Sequence, residues 1–369
     1  MESSSVAETA PPGEDMEGVA SVEGLLHCQV SSWFPDFHHL CFSTRLVSLP
    51  QEFASFLVSD NVFSGRRHSD SDTESSEDCD ANEKREENRG PSSTSSCSES
   101  SPDICDPFQE FPTVMRDIQN AIEHLGGKVL PKLNWSAPTD AVWLLPNRQL
   151  QCSTAEEIVM VLKSSDRVAH DICHAFDHCP EPPAPPVNYV LALRKWYSLR
   201  PESEFRCFVH GNELVGVSQR DVSQFYPQLA GREEELSQRL SDFFESDLRG
   251  RFPLSDYVFD VYVTSRSRIR LLDFNPIGGA TSPLLFSWED LGYSISNEGL
   301  LQNNGPAVHR SEIGSENGNE GPQCDFPIKF VEEGGGLMLG SKMAVAMPYD
   351  MLGASVTHMV EAMQNLSNS

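Results

Sequence analysis

Asp260, Asp273 and Asn275 lie within YVFDVYVTSRSRIRLLDFNP, residues 257–276. The pattern predicts two β-strands, 257–264 and 269–275, joined by a polar turn at 265–268. Side chains alternate faces along a strand, so Asp273 and Asn275 share one face. If Thr264 pairs with Ile269, the same register sets Asp260 directly opposite Asp273. Two carboxylates and a carboxamide oxygen then converge inside apolar strands. Facing like charges destabilise a strand pair, and buried carboxylates are costly without compensation. A hard divalent cation resolves the conflict: Mg²⁺ takes oxygen ligands, commonly one or two carboxylates plus substrate phosphates. The competing possibility is a hairpin whose two Asp residues face water.

Three further polar elements belong with this cluster. Lys132, in PKLNWSAP, adjoins a loop of small residues where backbone N–H groups can approach a phosphate. Arg194-Lys195-Trp196 end an apolar strand, so backbone groups there could read an adenine edge with Trp196 as a wall. Glu204 and Arg206 share a face in EFRCF, and Arg220 in SQRD is a natural phosphate ligand. Each element taken singly also fits a solvated turn or sheet surface. A decoy stands apart from them. HDICHAFDHC, residues 170–179, packs three His and two Cys into a short span, which suggests zinc. No second ligand pair at regular spacing follows it, so a helix end or loop before the Pro-rich segment 180–186 is the expectation.

The elements that must position these residues can be read in chain order. Leu49-Pro50-Gln51-Glu52 looks like a helix start. Apolar residues at 111, 115, 118, 122 and 125 form a helical stripe stopped by Gly126-Gly127. A short strand spans 128–133, and Ser153-x-x-Glu156 reads as a capping box for a helix ending near Lys163. Strands follow at 189–196, 204–209 and 213–220, the last two as a hairpin around His210-Gly211-Asn212. Residues 233–248 form an amphipathic helix. Strands, helices and antiparallel hairpins in this order predict α+β layers rather than a doubly wound parallel sheet.

The chain has 369 residues, enough for about two ordinary domains. Its 27 Lys+Arg against 55 Asp+Glu give a formal net charge of −28. Such a balance argues against a general binder of nucleic-acid backbone and for basic protein partners. Residues 1–22 read as a disordered acidic N-terminus and 23–63 as the first part of the fold. Residues 64–107 hold 12 acidic residues against 5 basic with almost no aliphatic content, a disordered Ser-rich linker. Ser69, Ser71 and Ser75 each have an acidic residue three positions on, a pattern for acid-directed phosphorylation. The core is expected at 108–293, followed by a partly disordered region, 294–369, with a helix at 349–366. No 18-residue apolar run predicts a membrane span, and the ten Cys show no disulfide rhythm, so reduced thiols are the expectation.

PKLNWSAP, LRKW, EFRCFV, SQRD, FDVY and LLDFNP, in this order, resemble an ATP-grasp nucleotide site and, more narrowly, the cell-division-cycle protein 123 family. The likeness covers about residues 26–291 and is broken by the acidic linker. It implies an α+β ATP-grasp fold with ATP and Mg²⁺ held between two subdomains. It also implies that Lys132 contacts phosphate, with Asn134, Trp135 and Ala137 in a loop over the nucleotide. Arg194, Lys195 and Trp196 would line the adenine and hinge, Glu204 and Arg206 the ribose and phosphates, and Arg220 a phosphate. Asp260, Asp273 and Asn275 would hold the metal. The family's implied role is that of a cytoplasmic, monomeric assembly chaperone. Such a chaperone binds the gamma subunit of eukaryotic translation initiation factor 2 and supports translation initiation and cell-cycle progression. The alternative within the same fold is a ligase that forms an acylphosphate and passes it to an amine or thiol. Whether ATP is hydrolysed stays open. The acidic N-terminal extension and the region beyond Leu291 depart from the family pattern.

Overall fold

The computed structural model describes residues 21–59, 62–63, 104–177, 179, 187–266, 268–295, 301–303 and 326–333. The phosphorylation pattern at Ser69–Ser75 and the helix expected at 349–366 lie outside these residues. Among the described residues the two larger hydrophobic cores are each built on one sheet, and a smaller third cluster gathers Phe208, Val258, Phe286, Leu291 and Tyr293.

The first core belongs to a three-stranded antiparallel sheet. Its strands are β1 (Thr44–Leu49), β4 (Val129–Leu133) and β5 (Tyr189–Lys195), in the order β1-β5-β4. A two-stranded parallel pair, β2 (Val62–Phe63) and β3 (Ile104–Cys105), lies between β1 and β4 in the chain. One face of the three-stranded sheet packs on the helices α3 (Gln51–Leu57), α5 (Pro112–His124) and α6 (Ala155–Lys163), which follow the short α1 (Val22–Cys28), α2 (Val30–Phe37) and α4 (Pro107–Glu110). α5 starts on Pro112, whose missing N–H costs nothing at a first helical position. It stops where the sequence predicts. Gly126 and Gly127 have φ of 93° and 86°, and their N–H groups bond Glu123 O at 3.0 Å and Ile122 O at 2.9 Å, a Schellman motif. The capping box of α6 is built one residue later than expected, on Thr154 and Glu157. α7 (Asp166–Cys173) follows, capped by Ser165.

The second core lies under a five-stranded sheet in the order β12-β7-β6-β8-β9. These strands are β6 (Glu204–His210), β7 (Glu213–Gln219), β8 (Tyr257–Val263), β9 (Ile269–Asn275) and β12 (Ile328–Lys329); β10 (Tyr293–Ile295) and β11 (Leu301–Asn303) pair separately. The β6–β7 turn uses Gly211 and Asn212 at φ of 57° and 63°, the mirror-image turn that matches strand twist. Every β8 residue is buried. Tyr257, Phe259, Val261 and Val263 face the core with α1, α2 and α8 (Glu233–Phe243). The helix expected over 233–248 ends at Phe243, and Phe244–Leu248 continue as a π-turn that still buries Phe244 and Leu248.

Between the two cores lies β5. Leu191 and Leu193 enter the first core, and Ala192 enters the second. Strand period thus gives the small sheet one face for each lobe. The α+β architecture expected from the element order is the one observed.

Candidate functional site

The β8–β9 pairing contains a correction to the expected register. Val263, not Thr264, faces Ile269, and a bulge at Leu272 then restores the opposition of Asp260 and Asp273. The bulge has a purpose in packing. It lets Leu271 and Phe274 both enter the core while Asp273 and Asn275 turn to the other face. Asp260, opposite Arg206 on β6 and Asp273 on β9, sits at the centre of that face.

The compensation expected from a cation comes first from the protein itself. Arg206 holds Asp260 bidentately, Nε to Oδ1 and Nη2 to Oδ2 both at 2.8 Å. Its Nη1 donates to Ser282 O at 2.9 Å. Arg220 Nε approaches Asp260 Oδ2 at 3.3 Å, and Asn275 Nδ2 lies 3.5 Å from the same oxygen. From the small sheet, Lys132 Nζ makes an ion pair with Asp273 Oδ1. Arg194 Nη2 donates to Leu272 O at 2.5 Å. Cross-strand partners share a face, so Lys132, opposite Ala192, and Arg194, opposite Leu130 and Thr44, both point toward the large sheet. The cluster is therefore the seam between the two sheets.

Its electrostatics are uneven. Burial pushes the Asp260 carboxyl up, but Arg206 and Arg220 outweigh it and hold the group at about 2. Asp273 goes the other way: burial raises it, and Lys132 offsets only part. Burial also lifts Glu204 to about 7 against the pull of Arg220. The neighbouring charge of Arg206, and then burial, lower Arg220. One buried polar atom at the seam, Arg194 Nε, has no hydrogen-bond partner, while the buried carboxyl of Asp273 has Lys132 as its ion-pair partner. A buried guanidinium N–H without an acceptor, in a seam that also holds Lys132, Arg206 and Arg220, suits a ligand that brings negative charge.

Other sequence-expected residues are placed differently. Asn134 is fully buried. Its Nδ2 donates to Asn188 O at 3.1 Å and its Oδ1 accepts from Val190 N at 2.7 Å. Both ends of the side chain are thus consumed in clamping the start of β5. Asn134→Ala leaves these backbone groups unpaired and is expected to cost about 1–3 kcal/mol of stability, measured by denaturant unfolding. Trp135 packs on Phe176 and donates to Leu25 O at 2.8 Å. Ala137 packs against the first core. The Lys195 side chain is exposed on the face of β5 opposite Arg194. Trp196 is half-buried, with its N–H bonded to Lys128 O at 2.9 Å. The zinc decoy stays apart from the seam: His174 bonds Asp177 at 2.7 Å, and no group of three metal-ligating side chains occurs among the described residues.

Asp171, within that decoy, is a structural residue the sequence hid. It leaves α7 to accept from Ser136 N and Ser136 Oγ at 2.8 Å each and from Trp135 N at 3.3 Å. It thereby fixes the loop that follows Lys132. Burial lifts its carboxyl to about 7 despite these donors. The folded protein therefore keeps a proton that the unfolded chain releases near pH 4, so this group's contribution falls as pH rises from about 4 to about 7. Relative to Asp171→Asn, the wild type is expected to lose stability across that window. A stability difference independent of pH would mean that Asp171 titrates normally.

Comparison with known proteins adds three findings. The D123 family matches residues 33–355. The chain is 39% identical over 272 residues to a Xenopus laevis protein named "Translation initiation factor eIF2 assembly protein", covering 73% of this chain and 78% of that one. A protein of the same name from Emericella nidulans is 35% identical over 316 residues, covering 81% and 72%. The solved structure of Cdc123 from Schizosaccharomyces pombe superposes with a TM-score of 0.59 at 29% identity, covering 85% of this chain and 99% of that one.

Proposed function

The chain belongs to the D123 family, and from that membership and the seam we propose that it is an ATP- and Mg²⁺-binding assembly chaperone for eIF2 that captures the factor's gamma subunit. The names of its relatives support the eIF2 role. The nucleotide half of the proposal rests on one observation. Arg194 Nε is buried at the lobe boundary without a hydrogen-bond partner, and Lys132, Arg206 and Arg220 gather there around Asp260 and Asp273.

The residues fit the group. Asp273 and Asn275 offer oxygens from one strand face, and Mg²⁺ is commonly held by one or two carboxylates with phosphates completing the shell. Asp260, expected as a third ligand, has both oxygens committed to Arg206, so its chief role is to hold Arg206 and Arg220 in place. Lys132, Arg194 and Arg220 supply positive charge for phosphates in the manner of an ATP-grasp site. When bound, the metal neutralises phosphate charge. The chain's own residues anchor the lobes: Lys132 and Arg194 from the small sheet, Asp273 from the large. A ligand engaging both sheets fixes their relative angle, and with it the surface offered to the partner, to the extent that it binds one angle better.

The test is capture of the eIF2 gamma subunit by wild type and by Asp273→Asn, each with ATP and Mg²⁺. Capture that weakens in the variant is the expected result. Equal capture by both separates partner binding from nucleotide, and no capture by either removes the gamma-subunit assignment and favours the ligase alternative.

A further inference from the structure

A second charged site lies at the end of β5, where β1 begins. An open cavity of about 450 Å³ is lined by Phe34, His38, Phe42, Arg45, His124 and Lys195, among others, and no carboxylate lines it. That is notable in a chain of net charge −28. Strand geometry explains why these cations gather. Arg45 is opposite Leu193, so it shares the face of Leu193 and Lys195, away from Lys132 and Arg194. The Lys195 ammonium lies over the α5 stop, where a Cβ on Gly126 would come 3.6 Å from Nζ. Arg45 Nη2 donates to His124 Nε2, which leaves that ring nitrogen as the acceptor. The carbonyls at the end of α5 do not compete for the space. Those of Ala121, Ile122 and Glu123 accept from Leu125, Gly127 and Gly126. The nearest acid in sequence, Glu123, bonds Gln119 at 3.3 Å. A second cavity of about 270 Å³ also gathers arginines, Arg200, Arg232 and Arg239. Glu202 and Glu235 neutralise them there.

We propose that the Arg45–His124–Lys195 groove binds a phosphomonoester whose organic part lies on Phe34 and Phe42. Arg45 and Lys195 provide charge-assisted donors. Phe42, tilted against Tyr197 with ring centroids 4.9 Å apart, and Phe34 form the apolar wall. A bare carboxylate brings one negative charge to the two cations, Arg45 and Lys195.

The test uses the full chain with ATP and Mg²⁺ at saturation, so that the seam is occupied, and titrates phenyl phosphate, inorganic phosphate and benzoate by calorimetry. Phenyl phosphate is expected to bind about tenfold more tightly than either of the others. Arg45→Ala and Lys195→Ala each weaken it about tenfold, while Arg45→Ala leaves the affinity for ATP unchanged. Tighter binding of a phosphotyrosine peptide than of phenyl phosphate assigns the site to a protein ligand, and equal binding assigns it to a small molecule. No binding at millimolar phenyl phosphate, or binding indifferent to both substitutions, overturns the proposal. Equal affinity for inorganic and phenyl phosphate overturns the aromatic wall and with it the assignment.

Discussion

Asp260→Ala lowers the stability of the fold by about 3–5 kcal/mol, the range seen when one partner of a buried ion pair is removed. The cause is the fate of the arginines. Arg206 is 4% exposed and gives two of its nitrogens to Asp260, so without the carboxylate a buried guanidinium keeps only Ser282 O. Arg220 then faces Arg206 with nothing between them. Arg206→Ala has a similar cost for the converse reason. The double variant Arg206→Ala/Asp260→Ala costs less than the sum, because neither charge is left alone. Chemical denaturation of the four proteins measures this coupling. Single substitutions costing under about 1 kcal/mol would mean that water reaches the pair. The pH dependence has a definite sign. Asp260 in the folded protein is held at about 2, below its ordinary value, so its contribution is fully present above about pH 4 and is lost as pH falls toward 2. Asp260→Ala flattens that part of the acid limb.

Asp273→Ala reduces affinity for ATP in the presence of Mg²⁺ on the order of a hundredfold, and the loss shrinks when Mg²⁺ is withheld. The direct measurement is calorimetry with and without the metal. Equal affinity for wild type and variant would move the nucleotide elsewhere. The sequence suggests that this substitution also relieves a clash between facing carboxylates and leaves the fold unharmed. The structure changes that expectation. Lys132, 7% exposed, has Asp273 as its ion-pair partner, so deletion strands a buried ammonium and the fold loses stability as well. Asp273→Asn keeps the shape and an oxygen. It is the variant for separating ligand loss from unfolding, and Lys132→Met/Asp273→Leu tests whether the pair is needed for stability at all.

Much of this molecule is legible along the chain. The strands 269–275 and 213–219, the stop of α5 at Gly126-Gly127 and the Gly211-Asn212 turn follow from residue type and local geometry. The opposition of Asp260 and Asp273 also follows, although by a different route. The expected register is one residue out at the turn, and the bulge at Leu272 brings it back. Period-2 alternation cannot reveal a bulge. It arises because Leu271 and Phe274 must both reach the core while Asp273 stays out of it, a demand set by packing from other elements.

The sequence by itself determined which strands exist and which charged residues share a strand face, because those depend on alternation and turn chemistry within a few residues. Only the tertiary structure decided what each charge meets. Lys132 and Asp273 are far apart in the chain, and Asp171 and Ser136 join through a helix that looks like a metal motif. Asn134 and Lys195 carry the right chemistry for the seam. The first is spent on backbone at the start of β5, and the second is turned by strand alternation away from Arg194, into the groove at the end of β5. Long-range pairing and burial choose among the partners a polar residue could have, because an unpaired polar group in a packed interior costs more than any local preference returns.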